Sequence, residues 1–312
     1  MRKIITTVFV CLITLPGEGF SQPVPFLEDL LRPFPNVRDL TMSATEAYFT
    51  AQSPLGEVSV IMVSHKQRNS WRKPVIASFS GQHSDLEPFL STDGRRLYFA
   101  SNRPVSKDST LMKNYDLWMV SRDHLKDEWS TPVNLGPTVN TMSNEFYPAV
   151  SARGNLYFTS DRPGSLGKDD LYVSVWMDEA YQTPRALSES INTEGYEFNA
   201  FIAPDESFLI FSGYNRTDGL GSADLYISYQ QENSTWTPAI NLGAEINSKS
   251  MDYCPWVNVS TNTLYYTSRR SQVAFNDGGF KQTKTLLQAL NQHSNGQSRL
   301  YQIPFKDGKL VK

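Results

Sequence analysis

One unit of sequence recurs four times along the chain, opening at Asp85, Glu145, Glu197 and Asp252, at intervals of 52 to 60 residues. The copies read DLEPFLSTDGRRLYFASNRP, EFYPAVSARGNLYFTSDRP, EFNAFIAPDESFLIFSGYN and DYCPWVNVSTNTLYYTSRR. Each carries an acid, an alternating run, a turn, an aromatic strand and a Ser-led loop. A period of this size, built from short strands, is the signature of propeller blades, because one small sheet cannot bury its faces alone and must stack on its neighbours.

The copy from Glu145 can be parsed strand by strand. FYPAVS alternates in and out and ends at the turn Ala152-Arg153-Gly154-Asn155, where Gly154 can take positive φ. Leu156 to Ser160 returns as a strand whose aromatic and apolar residues suit a sheet buried on both faces. After the breaker-rich loop DRPGSLGKD, Asp170 to Val175 forms the third strand, and a fourth runs from near Tyr181 through Pro184 to Leu187. Third strands recur as DLWMVS, DLYISY and RLYQIP from Asp116, Asp224 and Arg299. Trp71, Trp129 and Trp236, each followed closely by a proline, mark fourth strands, and a proline is tolerated at an outer edge that needs no amide donor.

A degenerate copy precedes Asp85, with strands at Leu40 to Ser43, Ala47 to Thr50, Val58 to Ser64 and Trp71 to Ser78. The fold class expected is therefore all-β, a β-propeller of five four-stranded blades at about 37–84, 85–144, 145–196, 197–251 and 252–312, preceded by an N-terminal segment 22–36. An insertion, 271–298, interrupts the last blade, and Thr283 to Gln292 within it reads as a short helix with Leu286, Leu287 and Leu290 at helical spacing. Two ring closures stay open. Either a complete last blade ending in Lys309 to Lys312 packs on the first, or residues 23–36 supply an edge strand.

Arg2 and Lys3 lead an apolar run from Ile4 to Leu15, the pattern of a secretory signal peptide over residues 1–21, and the run is too short to span a bilayer. The expected address is periplasmic or secreted. Losing Arg2, Lys3 and Glu18 from 29 basic and 32 acidic side chains leaves 27 against 31, so nothing attracts nucleic acid. Only Cys254 remains after cleavage, which excludes an intrachain disulfide. His65, His83, His124 and His293 have no ligand-like spacing, and no metal site is expected from them.

The acid-x-x-Pro-x-x-Ser-x-Asp-Gly turn, the Leu-Tyr-Phe strand, Ser-Asn/Asp-Arg-Pro and Asp-Leu-Tyr resemble the TolB-like, WD-like propeller repeats of bacterial envelope proteins, over about residues 40–312. The resemblance implies a periplasmic or surface binding scaffold. No peptidoglycan-binding segment is recognisable, so a cell-wall role is not carried over.

In such blades the start of the first strand and the end of the second share one face. Asp85, Glu145, Glu197 and Asp252 should then ring the channel mouth beside Arg103, Arg162 and Arg270, with Tyr214 replacing the arginine in the fourth blade and Ser53 standing in the first. Repetition in every blade is what packing demands, so these groups read first as ion pairs joining blades. Asp116, Asp170 and Asp224 read as acceptors for loop amides, with calcium held by Asp161, Asp169 or Asp170 as the alternative. The tryptophans read as packing residues.

Two functions follow. The first is a non-catalytic scaffold binding an envelope or extracellular protein, peptide or glycan through the channel face, with specificity in the variable loops 107–114 and 214–221 and the insertion. The second is a glycan-active hydrolase using two channel carboxylates, Glu145 and Glu197, in unlike environments. An unpaired Glu197 facing Tyr214 would mark a ligand pocket.

Overall fold

The computed structural model describes residues 22–106, 114–275, 277–306 and 309–310. The signal peptide expected at 1–21 and most of the variable loop 107–114 lie outside these residues. Among the described residues five antiparallel sheets of four or five strands follow one another along the chain, each running from an innermost first strand to a short outermost one, and Trp176–Met177 pairs with Ala180–Tyr181 in a separate two-stranded ribbon. Blade 1 comprises Asn36–Met42, Glu46–Gln52, Ser59–Gln67 and Val75–Ile76; blade 2 comprises Asp85–Leu90, Arg96–Ser101, Asp116–Ser121 and Val133–Asn134. Blade 3 is built from Glu145–Val150, Leu156–Ser160, Asp170–Ser174 and Arg185–Ala186, and blade 4 from Tyr196–Ile202, Phe208–Tyr214, Ala223–Tyr229 and Ile240–Asn241. Blade 5 contains Asp252–Asn258, Thr263–Ser268 and Arg299–Lys306.

The second strands carry the core, because each sheet is covered on both faces by its neighbours. Phe49, Phe99, Phe158, Phe211 and Tyr266 stand at equivalent positions and are fully buried. Truncating a ring of this kind to alanine costs about 3–5 kcal/mol, which is why the aromatic strand is the most regular part of the repeat. The turn between first and second strands of blade 3 is the expected one: Gly154 has φ +90°, and its bare Cα lies against the Trp176 side chain. The tryptophans and Tyr181 precede the outer strands, and the pairing residues come just after the prolines.

Of the two ring closures, the N-terminal segment supplies one. Val24–Pro25 pairs with Arg299–Lys306, Pro25 standing opposite Tyr301. Asn134, Ala186 and Asn241 stand opposite the equivalent Trp118, Tyr172 and Tyr226, so Val24–Pro25 takes the fourth position of blade 5. The Phe26 N–H donates to the Leu300 carbonyl (3.0 Å) as Leu187 N–H does to Leu171 and Leu242 N–H to Leu225. The disc is thus closed by joining the two ends of the chain. Lys309–Leu310 instead folds back on Phe305 and Lys306, at the far end of that strand. The seam continues inward, where Val37 N–H donates to the Ser298 carbonyl (2.9 Å) and Arg299 donates to the carbonyls of Phe34 and Pro35.

Within the insertion, Thr283–Leu290 is helical as the spacing predicts, but Leu286, Leu287 and Leu290 face solvent. Among the described residues no helix is long and apolar enough to cross a membrane.

The closure makes a stability prediction. Phe26 is buried with its ring 4.9 Å from that of Tyr265, so Phe26→Ala should lower unfolding free energy by about 3 kcal/mol in urea. Val24→Ala, at a half-exposed side chain of the same strand, should change it by less than about 1 kcal/mol. Equal effects would argue against closure by this strand.

Candidate functional site

Each of the four repeated acids is fully buried and held in the same latch. Arg103 Nη2 meets Asp85 at 2.6 Å, Arg162 meets Glu145 at 3.0 Å, and Arg270 meets Asp252 at 3.0 Å. The arginine also donates to a carbonyl of the linker arriving from the preceding blade: Phe79, Val139 and Ile246 respectively. A linker hydroxyl closes the set, with Ser80 on Asp85, Thr141 on Glu145, Thr193 on Glu197 and Ser248 on Asp252. The ion pair therefore lies inside one blade and ties in the linker, whereas the sequence suggested a pair bridging two blades.

Blade 4 corrects the sequence reading in one respect. Tyr214 does not stand in for the arginine; Arg216 does, donating from Nε and Nη2 to Glu197 at 3.0 and 2.9 Å. Its second strand runs on to Tyr214 and places Gly213, not a serine, opposite Glu197, so the arginine comes three residues after that position where the other blades place it two after their serine. Ser212, opposite Phe198 as Thr267 is opposite Tyr253, has a buried hydroxyl without a hydrogen bond, as Thr267 does. Glu197 is consequently paired, and Tyr214 is 43% exposed. Blade 1 has no latch: Val37 occupies the acid's position, while Asn36 Nδ2 donates to the carbonyls of Ser53 and Pro54.

The axis of the disc is lined two residues further on. Every first strand has a bulge there, and the bulged residues Asp39, Glu87, Tyr147, Asn199 and Cys254 take left-handed φ of 61°, 60°, 45°, 53° and 52°. Such values are uncommon for residues other than glycine, and a bulge that re-aims a side chain is the reason to adopt them. Arg38 plugs the centre, donating to Asp39 Oδ1 (2.8 Å), Glu87 Oε1 (2.7 Å) and Cys254 Sγ (3.5 Å). Glu87 Oε2 accepts from the Tyr147 N–H at 2.8 Å. Burial pushes the Glu87 carboxyl up to about 7; Arg38 opposes this and Asp39 adds to it. Asp39 and Glu87 are only 1% and 4% exposed. These residues were missed in the sequence, although a polar or sulfur-bearing side chain in a buried strand at a fixed offset from each acid was the available signal.

The mouth above this plug is aromatic. Phe146 and Phe198, one residue nearer the face than the bulge, are half-buried, and Tyr115 packs on Phe146 with ring centroids 5.2 Å apart. At the junction of blades 3 and 4, Asp169, Tyr196, Phe198 and Tyr214 line a hollow of about 310 Å³. Tyr196 and Tyr214 stand opposite each other in the sheet, edge to face at 5.7 Å. Burial, Asp161 and Asp170 raise the Asp169 carboxyl above the ordinary range.

The remaining candidates are engaged locally. Asp170 accepts from the N–H groups of Leu166 and Gly167, Asp224 from those of Leu220 and Gly221, and Asp116 from Asn134 Nδ2. Asp161 takes two hydrogen bonds from Asn144. Among the described residues no group of three or more His, Cys, Asp or Glu could hold a metal. Trp129 packs between blades, donating to the Tyr48 hydroxyl (3.0 Å) beneath the Arg122 guanidinium, and Trp236 is buried against Tyr157.

No family model matches the chain, and neither does any curated protein sequence. The fold does match solved structures. A thermostable family-43 glycoside hydrolase superposes with a TM-score of 0.55 at 12% identity, over 89% of this chain and 93% of that one. An α-L-arabinofuranosidase from Lactobacillus brevis gives 0.51 at 13% identity, over 88% and 93%. TolB from Acinetobacter baumannii gives 0.46 at 13% identity, over 85% of this chain and 53% of its own, so the chain spans about half the length of that relative. At these identities the likeness concerns the fold, an all-β five-bladed propeller.

Two outcomes test the site's anatomy. Arg216→Met strands a buried carboxylate and should cost about 3 kcal/mol in urea unfolding, against less than about 1 kcal/mol for Tyr214→Ala. Because the folded state holds the Glu87 proton more tightly than the unfolded chain, stability should fall as pH rises from about 4.5 through about 7. Glu87→Gln should flatten that part of the curve; an unchanged slope would remove Glu87 as its source.

Proposed function

We propose that this chain is an exported, non-catalytic propeller scaffold that binds a protein, peptide or glycan on its channel face. One observation carries the reading: the repeated polar groups are consumed in holding the disc, while Tyr196, Phe198 and Tyr214 stay open on its face. Glu145 accepts from the Thr141 N–H and hydroxyl, Ser160 and Arg162, and Glu197 from both Thr193 groups and Arg216, so both carboxylates take part in holding the disc. Half-open aromatic rings are the usual contact surface of binding sites, offering large rigid area at low entropic cost. The insertion adds to the same face, with Phe275, Leu286, Leu287 and Leu290 exposed. Rigid blades and variable loops on one face suit a binding scaffold, as does the resemblance to TolB-like repeats.

A glycan-active hydrolase is the second reading, and the glycoside hydrolases among the fold's neighbours keep it in play. Beside Glu145 and Glu197 it has a second candidate pair, Glu87 and Asp39, two carboxylates in unlike surroundings at the axis. Their burial beneath Arg38, Tyr147 and Asn199 leaves a sugar no route to them in this arrangement.

The deciding experiment uses residues 22–312 on arrays of peptides and oligosaccharides, with turnover of the same oligosaccharides followed in parallel. Binding without turnover, weakened about tenfold or more by Phe198→Ala with Tyr214→Ala, is the expected result. Hydrolysis abolished by Glu87→Gln, Glu145→Gln or Glu197→Gln in folded protein would replace the scaffold with the enzyme.

A further inference from the structure

The hollow between blades 3 and 4 has a chemistry more specific than an apolar shelf. Its walls are three rings, Tyr196, Phe198 and Tyr214, and its polar group is the carboxylate of Asp169. The other acids nearby are spoken for: Asp161 by Asn144, Asp170 by two loop N–H groups, Glu197 by Arg216. Among the described residues, Asp169 is the one member of this group whose carboxylate has no hydrogen bond or ion pair. Its backbone is nonetheless held firmly, since its carbonyl accepts from the Glu197 N–H (2.8 Å) and it bridges to Tyr196 across the junction of blades 3 and 4. The carboxylate is thus placed by the sheet and, half-buried, left open to a ligand.

Negative ring faces around an open carboxylate attract a cation that can be partly desolvated. The chain itself displays the interaction: Lys168 Nζ lies 5.2 Å from the centre of the Tyr196 ring. Neutral sugars would stack on the rings and donate hydroxyl hydrogen bonds to the carboxylate but bring no charge to neutralise it, and an anion would be repelled. A volume of about 310 Å³ accommodates one side chain and its charged head, not a folded ligand. The hollow opens on the face where Phe146 and Tyr115 continue the aromatic surface across blades 2 and 3, so the segment carrying the side chain has somewhere to lie.

Building on the scaffold reading above, we propose that the pocket of Asp169, Tyr196, Phe198 and Tyr214 is a recognition site for a cationic side chain, arginine or lysine, presented by a protein or peptide partner across the channel face. The rings supply cation–π contact and Asp169 the ion pair, while Lys168 competes for the same surface.

The test titrates residues 22–312 with three probes by ligand-observed NMR: a short capped peptide with one central arginine, its citrulline counterpart, and a neutral cello-oligosaccharide. The arginine peptide should bind at least about tenfold more tightly than the citrulline peptide. Asp169→Asn should abolish that preference while leaving citrulline binding in place, and Lys168→Gln should tighten the arginine peptide roughly twofold to fivefold. Asp205→Asn, in a turn on the opposite face, should change nothing and reports on fold. Equal affinity for arginine and citrulline peptides overturns the cation site and leaves channel-face binding standing, as does an oligosaccharide that binds and is lost in Tyr214→Ala. Failure of the arginine peptide to saturate below about 10 mM overturns it whichever other probe binds. Turnover of the oligosaccharide with no peptide binding would remove both this site and the scaffold reading.

Discussion

A buried carboxylate at the head of the inner strand of blades 2 to 5 is the constraint around which the disc is organised. A charge taken out of water is tolerated only where hydrogen bonds and a counter-charge surround it. Here the surroundings come from three separate stretches: the arginine after the second strand, the serine that ends it, and the linker arriving from the blade before. Satisfying Asp85 therefore fixes where the chain crosses from blade 1 to blade 2, and the same holds for Glu145, Glu197 and Asp252 in turn. Repetition of the acid is the repetition of a joint.

The joint explains why these residues are the most repeated. Glu145 and Glu197 have their oxygens filled by the arginine after the second strand and by linker groups. What differs from blade to blade lies above and inside this ring. Inside, five unlike side chains meet at the axis and close on Arg38. Above, the aromatic residues next to the acids are capped in some blades and open in others, and the openest set adjoins the blade whose arginine has moved.

That displaced arginine illustrates how far the repeat can be read. Strand order, blade count, the aromatic core and the latch partners of three blades follow from offsets that recur with matching chemistry, because identical spacing on identical sheets must put like residues in like places. Blade 4 breaks the offset by one residue and has Gly213 where the other blades have their serine, so matching Ser212 to those serines puts Tyr214 where a cation is needed. Arg216 reaches Glu197 because a longer strand and a flexible side chain absorb the difference. The bulge was hidden for another reason. Alternation along a strand says which residues share a face, but an extra residue that rotates Glu87 or Cys254 toward the axis is a property of the pairing between strands.

The sequence by itself determined the class of fold, the number of blades and the chemical identity of the joint, since those depend on periodicity and on residue types at fixed intervals. Only the tertiary structure decided which end closes the ring, what fills the axis and which polar groups are left open. Val24–Pro25 meets Tyr301 from nearly the whole chain away, and Asp169 becomes an open carboxylate beside two tyrosines only once blades 3 and 4 are stacked. Those outcomes depend on distances between segments remote in sequence, and the closed geometry of the disc sets them.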